Sequence, residues 1–310
     1  MPGGRATYRL KGFGDKDPAI LQILSYESPP GQKVAHPGKS GSLKSYVYTF
    51  GTSNSAALTS RLLCFLYDTL QDLHGSKYGE VLSSQYEAVL LKALICHGAS
   101  LPECYMKLEE NLKNSTNSKQ FKAITAKYFG FGIMNEDRIQ GCIDEQATII
   151  QCGVIKDGDS HVYNFTLPES LSAKSDFRRL IITLSWFSPI NPQNSTYRKA
   201  HLYFEPKTNK KKGNHLAIQD RELQWQMVKN GTVQHEVLSG SLASPYAKGT
   251  NLEIVVECKA QAGASTVEVP YGLVVTLDVP DSKLPIYEEV KAGLELEFTS
   301  LVSSGKLLTP

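Results

Sequence analysis

The hydrophobic pattern divides the chain into a helix-rich first part and a strand-rich second part. Before about residue 145, apolar residues recur at the spacing of a helix face over several long stretches. Short runs of aromatic and β-branched residues, typical of strands, lie between these stretches and the start of the chain. The pattern predicts strands over residues 6–10, 19–26 and 46–50 and helices over residues 56–73, 85–97, 102–112 and 119–128.

After Asp144 the chain consists of short apolar runs separated by Gly, Pro, Asn, Asp and Ser. Such runs are typical of an all-β sandwich of jelly-roll or related type, and the alternation over residues 180–187 predicts a strand with one face in the core. We therefore predict an incomplete α/β domain over residues 1–145 and a β-sandwich over residues 146–310. The predicted strands cover residues 147–155, 161–167, 177–187, 197–204, 222–228, 234–238, 252–258 and 267–279, with a last strand or extended tail over 282–303.

The longest helical pattern begins directly after a strand and a small-residue turn. Residues 46–50 lead through Gly51 and Thr52 into this pattern, which stops at His74-Gly75. Between residues 62 and 66 its apolar side chains cover most of the helix circumference, which predicts a central, buried helix. The order strand, tight turn, helix places Ser53 at the helix N-terminus.

Ser53 therefore lies where unpaired backbone N–H groups and the positive end of the helix dipole favour developing negative charge. This is the position that an acyl-transfer serine requires. The alternative interpretation is that Ser53 or Thr52 only caps the helix, as Ser and Thr often do. The tripeptide alone leaves both interpretations open.

Composition predicts a soluble, cytoplasmic protein. The chain is 41% hydrophobic and 21% charged, with a net charge of +2, and the basic run at residues 207–212 lacks interleaved aromatic residues, which argues against nucleic-acid binding. The N-terminus lacks the apolar core of a signal peptide, and no stretch is apolar and long enough for a membrane span. Reduced, buried thiols are predicted for the six cysteines, Cys64, Cys96, Cys104, Cys142, Cys152 and Cys258.

Three segments together resemble the subtilisin-like serine proteases. Residues 51–56, Gly-Thr-Ser-Asn-Ser-Ala, are similar to the family's nucleophile segment. Residues 34–38 resemble its Ala-Pro-Gly element, and residues 130–135 resemble the Gly-x-Gly-x-x-Asn segment that closes its catalytic domain. The resemblance covers roughly residues 20–145, and the remainder resembles the sandwich appended to some large bacterial members. It implies that Ser53 is the catalytic nucleophile and that the Ser53 backbone N–H is an oxyanion donor.

The chain departs from the family pattern at several places. Ala57 stands where family members usually have Pro. The Asp-Ser/Thr-Gly and His-Gly-Thr contexts of the other triad members, and the Asn that completes the oxyanion hole, are absent from the sequence. Asp15 and His36 occur in the right order but in the wrong contexts. His97 and His74 are interpreted as histidines near helix C-termini, where they interact with the dipole.

The first function hypothesis is a subtilisin-type serine endopeptidase that hydrolyses protein or peptide substrates. A complementing segment or chain supplies its Asp and His, so this chain alone is nearly inactive. The alternative is a non-catalytic binding module, in which a degenerate protease core supports a ligand- or protein-binding sandwich. We expect no cofactor, since no acidic cluster has calcium-ligand spacing, and neither a nucleic-acid nor a membrane partner.

Overall fold

The computed structural model describes most of the chain. Asp15, Cys142, the basic run at residues 207–212 and the possible strand beyond residue 292 lie outside the described residues. The description covers residues 7–11, 20–25, 31–38, 41–74, 84–114, 116–135, 137–140, 143–174, 176–206, 220–240, 246–263 and 267–292.

The chain forms two compact units, Met1–Asp68 and Thr69–Pro310. The first contains an antiparallel pair of strands, β1 (Thr7–Lys11) with β2 (Ile20–Ser25), and a second pair, β3 (Gln32–Ala35) with β4 (Tyr46–Thr49). The boundary between the units falls within helix α1 (Thr52–His74). The predicted domain boundary near residue 145 stays a prediction.

Helix α1 is buried along one stripe. Leu62, Leu66 and Leu70, spaced one helical turn apart, are almost inaccessible to solvent, whereas Leu58 is 38% and Phe65 is 46% exposed. The predicted central, buried helix is therefore wrong, and the described helix extends to His74. Apolar side chains around most of a helix do not by themselves require that neighbouring elements cover every side of it.

The second unit contains the remaining helices, and most of them match the sequence pattern. Residues 286–292 are helical, so the last strand or extended tail predicted over 282–303 is wrong over these residues. The strand predicted over 222–228 is also wrong: Gln224 accepts a hydrogen bond from the Met227 N–H at 3.0 Å, which closes a short helix instead. The helices are α2 (Glu87–His97), α3 (Glu103–Leu112), α4 (Ser118–Phe129), α5 (Asp137–Gln140) and α6 (Trp225–Val228).

The described strands of the second unit are β5 (Ala99–Ser100), β6 (Ile133–Met134), β7 (Gln146–Ile155), β8 (Ser160–Thr166), β9 (Arg178–Trp186), β10 (Ala200–Pro206), β11 (Asp220–Arg221), β12 (Val233–Gly240), β13 (Asn251–Ala260) and β14 (Val269–Asp278). They pair antiparallel in every described sheet. A five-stranded sheet has the order β11-β12-β9-β14-β7, a three-stranded sheet has the order β10-β13-β8, and β5 pairs with β6. The chain is thus mixed α/β with a β-rich C-terminal region.

The two larger sheets contribute to one cluster of buried apolar residues. Alternate positions along each strand point into it, as the two-residue period of a strand requires. Each Leu, Ile or Val buried in this way stabilises the fold by about 1.5–3 kcal/mol. The cluster includes Leu180, Ile182, Leu184 and Trp186 of β9, Leu202 and Phe204 of β10, Leu252, Ile254 and Val256 of β13, and Tyr271, Leu273 and Val275 of β14.

Strand β9 is buried on both faces, which corrects the prediction of a single buried face. Its second face carries Thr183 and Ser185, and helix α2 packs on this face and on β14. The Ser185 hydroxyl donates a hydrogen bond to the Val89 carbonyl at 2.5 Å. A polar residue in this strand therefore marks contact with a helix rather than with solvent.

A buried network of histidine and threonine side chains lies between α2 and the sheet. His97 Nδ1 is 2.9 Å from the Thr183 hydroxyl, and His97 Nε2 is 2.7 Å from the Thr276 hydroxyl. The Thr183 hydroxyl also lies 2.7 Å from His235 Nδ1, and the Thr276 hydroxyl lies 2.7 Å from that of Thr148. Burial, reinforced by Arg138, lowers the pKa of His235 to about 3, so the ring is neutral near neutral pH.

Lowering the pH from 7 to 5 should reduce the free energy of unfolding, and His235 should account for about 2 kcal/mol of the loss. Below its ordinary pKa of 6.5 the unfolded His235 binds a proton, whereas the folded residue, with a pKa of about 3, does not. Urea denaturation at the two pH values measures the effect. His235→Gln should lose correspondingly less stability over the same interval, and equal losses in both proteins would contradict the prediction.

Candidate functional site

Ser53 lies in the first turn of α1, immediately after a strand and a glycine turn, as predicted. Strand β4 ends at Thr49, Gly51 adopts φ 147°, and the helix begins at Thr52. A positive φ of this kind is readily available only to glycine, so Gly51 makes the sharp change from strand to helix possible. The Ser53 side chain is exposed.

The start of α1 is tied to the strands before it through Asn54. The Asn54 amide donates hydrogen bonds to Gln32 Oε1 of β3 and to Thr49 Oγ1 of β4, each at 2.9 Å. The Ser55 N–H and the Ser55 hydroxyl both donate to the Gly51 carbonyl at 3.1 Å. These bonds hold the turn in place without using Ser53.

No residue in the described part of the chain forms a hydrogen bond with the hydroxyl of Ser53 or that of Thr52. The capping interpretation of these two residues therefore lacks the side-chain bond that it requires. The first helical bond is donated by the Ser55 N–H, so the N–H group of Ser53 lies ahead of it at the helix end. An exposed hydroxyl and a free helix N-terminus thus meet at one residue.

None of the described histidines forms a hydrogen bond with the Ser53 hydroxyl. His36 follows β3, and its backbone N–H donates to the Ser45 carbonyl at 3.2 Å while the Ser45 hydroxyl donates to the His36 carbonyl at 2.5 Å. His97 is 1% exposed, and both its ring nitrogens have hydroxyl partners. Burial, followed by the effects of His235 and Arg138, lowers the pKa of His97 well below its ordinary value. The expectation that His97 serves mainly the helix dipole is therefore wrong, because it is a neutral link between helix and sheet.

Residues 130–135 connect the end of α4 to the residues that follow α2. Gly130 ends α4, and Gly132 adopts φ 105° with so little space that a Cβ would lie 2.0 Å from the Ser100 carbonyl oxygen. The Asn135 N–H donates to the Gly98 carbonyl at 2.9 Å. The prediction that these glycines allow positive φ or close approach is confirmed, and both roles are structural.

The cysteines are less buried than predicted. Cys64 and Cys104 are exposed, Cys96 and Cys152 are half-buried, and only Cys258 among the described cysteines is buried. All five are free thiols. Burial, reinforced by Asp157 and Asp159, raises the pKa of Cys258 to about 11, and burial also raises the pKa of Cys96, so neither is an activated nucleophile.

Sequence reasoning missed His235, its partner Thr183 and the two threonines that bond to His97. The available signal was Thr183 and Ser185 within the apolar run of β9, whereas His235 lies among polar residues of β12 and has no comparable signal. No cluster of three or more His, Cys, Asp or Glu among the described residues could hold a metal ion. Within the same residues, no helix has the length and apolar character needed to cross a membrane.

No protein-family model matches this chain, and no curated protein matches it. Among solved structures, the acidic stable capsid of Helicobacter pylori bacteriophage KHP30 matches at 16% identity with a TM-score of 0.21. The match covers 44% of this chain and 90% of that chain. A likeness this weak carries no conclusion about fold or function.

Ser53→Ala should change the free energy of unfolding by less than about 0.5 kcal/mol, since the exposed hydroxyl has no partner among the described residues. Asn54→Ala should cost about 1–2 kcal/mol, because it removes two hydrogen bonds to the strands. Chemical denaturation of the two variants tests the difference. A loss on Ser53→Ala as large as that on Asn54→Ala would show that Ser53 is a structural residue.

Gly132→Ala should destabilise the protein by about 2–5 kcal/mol, because the new Cβ meets the Ser100 carbonyl and the backbone has a positive φ. Gly158→Ala is the matched control, since Gly158 has φ 86° but open space around the missing side chain, and it should cost about 1–2 kcal/mol. Thermal and urea denaturation provide the comparison. Equal losses of stability in the two variants would mean that the backbone at Gly132 and Ser100 can shift to make room for the new Cβ.

Proposed function

We propose that this chain is the C-terminal part of the catalytic domain of a subtilisin-like serine endopeptidase, followed by a β-sandwich, with Ser53 as the nucleophile. The observation that carries the proposal is the exposed Ser53 hydroxyl in the first turn of α1, directly after β4 and the Gly51 turn. The Gly-Thr-Ser sequence at this position supports the same assignment.

In the proposed reaction, Ser53 Oγ attacks the carbonyl carbon of a peptide bond and transfers its proton to a base. The carbonyl oxygen becomes an oxyanion, which the Ser53 backbone N–H at the positive end of the helix stabilises. The acyl-enzyme forms when the base returns the proton to the leaving amine. Water then releases the acyl group by the same route in reverse.

The base and the carboxylate that orients it come from polypeptide other than the described residues of this chain. A triad of this type loses on the order of a million-fold in turnover when its histidine is missing. The chain is therefore nearly inactive alone and cleaves proteins or peptides only with the complementing segment.

The sandwich proposal rests on the buried cluster that the five-stranded and three-stranded sheets share. Two antiparallel sheets with one core between them are the layers of a jelly-roll-like or related sandwich. The free described cysteines support a cytoplasmic location, where thiols stay reduced.

The second candidate function is a non-catalytic binding module built on a degenerate protease core. It is favoured by one observation, which is that none of the described residues supplies a base to Ser53. In this case the sandwich carries the function and Ser53 has no chemical role.

A fluorophosphonate probe separates the two candidates. It should label Ser53 covalently in the natural full-length gene product, because its reaction requires an activated serine. Ser53→Ala should abolish labelling, whereas Ser60→Ala, which removes an exposed hydroxyl two turns further along the same helix, should retain it. Equal labelling of the wild type and Ser53→Ala, or no labelling of any of the three proteins, would reject the peptidase and leave the binding module.

A further inference from the structure

A patch of exposed apolar and cationic side chains lies at the end of strand β9, and it is separate from Ser53. We call it the β9-end surface, and it consists of Phe187, Ile190, Tyr197, Arg198 and Lys92. Phe187 is 51%, Ile190 is 50% and Tyr197 is 49% exposed. Three large apolar side chains exposed to this degree on one short loop are a feature of interaction sites.

The loop that carries these side chains is held by backbone hydrogen bonds. The Asn191 N–H donates to the Tyr197 carbonyl at 2.7 Å, and the Lys199 N–H donates to the Pro189 carbonyl at 2.8 Å. The Asn191 side chain donates to the Ala262 carbonyl at 3.1 Å, which ties the loop to the end of β13. The loop is therefore a preformed support for its exposed side chains, so a partner would lose little affinity to ordering it.

Tyr197 is held in an unfavourable backbone conformation. Its φ is 64°, a value that costs a non-glycine residue about 1–3 kcal/mol. Its N–H donates to the Asn194 carbonyl at 2.9 Å, and its own carbonyl is the acceptor for Asn191. The fold thus maintains strain in order to present an exposed tyrosine, and this combination is typical of functional loops.

Two cations of the surface are satisfied by neutral oxygens. Lys92 Nζ donates to the Trp186 carbonyl at 2.7 Å and to the Thr232 hydroxyl at 2.8 Å, and it lies 4.6 Å from the centre of the Phe187 ring. Arg198 Nη1 donates to the carbonyls of Asn230 and Gly231. Neither side chain forms an ion pair with a carboxylate of the described residues.

The same contacts show that the surface is continuous. Lys92 joins Phe187 to Thr232, and Arg198 bonds to Gly231, the residue before Thr232. The pairing of Ile190 with Arg198 brings Ile190 to the same place, and Tyr197 is the residue next to Arg198 in the chain.

The positive charge of this surface comes from Lys92 and Arg198, since neither has an ion pair among the described residues. The nearby Lys229 is already paired with Glu205 at 3.1 Å. A ligand that complements this surface therefore carries negative charge together with apolar side chains.

We propose that the β9-end surface binds an extended segment of a partner protein in which carboxylates flank large apolar side chains on the same side of the segment. In an extended segment, side chains two residues apart point to the same side, so apolar groups at alternate positions can pack on Phe187, Ile190 and Tyr197 while a flanking carboxylate on that side reaches a cation. Two cations without an ion pair among the described residues match a short acidic peptide, whereas a nucleic-acid site needs a longer basic track. The site is a docking surface independent of the proposed peptidase chemistry.

The test is fluorescence anisotropy of a labelled heptapeptide, added to the full chain, in which Glu, Leu, Phe and Glu occupy alternate positions with Ser between them. Binding should saturate and should weaken at least tenfold when Lys replaces Glu in the peptide. Arg198→Ala and Phe187→Ser should each weaken binding by about fivefold or more. The matched controls Lys248→Ala and Val162→Ser change an exposed cation and an exposed apolar residue elsewhere, and both should leave binding unchanged.

Tyr197→Gly is the control that separates a loss of binding from a loss of folding. Glycine accepts the positive φ, so this variant should retain or raise the melting temperature while it weakens peptide binding severalfold. Unchanged binding in this folded variant would overturn the proposal. It would also be overturned by equal binding of the Lys peptide, by absence of saturable binding to the wild type, or by a single-stranded oligonucleotide binding in place of the peptide.

Discussion

The contact between helix α2 and the five-stranded sheet is the interaction on which the second unit depends. The helix can approach closely because Gly272 of β14 has no side chain: a Cβ there would lie 3.1–3.2 Å from atoms of Leu90 and Val89. Close packing buries polar groups of both elements, and each would cost about 1–3 kcal/mol if left without a partner. Ser185 and His97 meet this requirement by bonding across the interface. The apolar contact and the polar network are thus two parts of one constraint.

The position of α2 determines what lies at its two sides. At the C-terminal end of α2, the Gly98 carbonyl accepts a hydrogen bond from the Asn135 N–H, and the backbone at Gly132 lies close to Ser100. Residues 130–135, which resemble a protease motif, therefore have a structural role here: they attach the chain after α4 to the end of α2. On its exposed side, Lys92 reaches the last residues of β9 and the start of β12. The ammonium group contributes to the sheet and to the β9-end surface at the same time. Surface chemistry and core packing are therefore coupled through one lysine.

The two proposed sites differ in what they need from outside the chain. Ser53 is exposed in the first turn of α1, and as the proposed nucleophile it would require a proton acceptor from other polypeptide. The β9-end surface has its side chains in place and requires only a ligand of matching charge. A protein of this kind would combine a peptidase centre completed by other polypeptide with a docking site that recruits a partner.

The sequence by itself determined most of the secondary structure and the position of Ser53 at the start of α1, because both depend on local chemistry. The spacing of apolar residues predicted the long helices and most of the strands. Gly51, followed closely by Ser53, predicted the turn into α1. Tertiary structure alone decided which faces are covered. Only one stripe of α1 is buried although its apolar residues surround it, and β9 is buried on both faces although Thr183 and Ser185 are polar. Burial and hydrogen-bond partners depend on residues distant in the chain, such as His97 with Thr276, and no local pattern specifies such pairs.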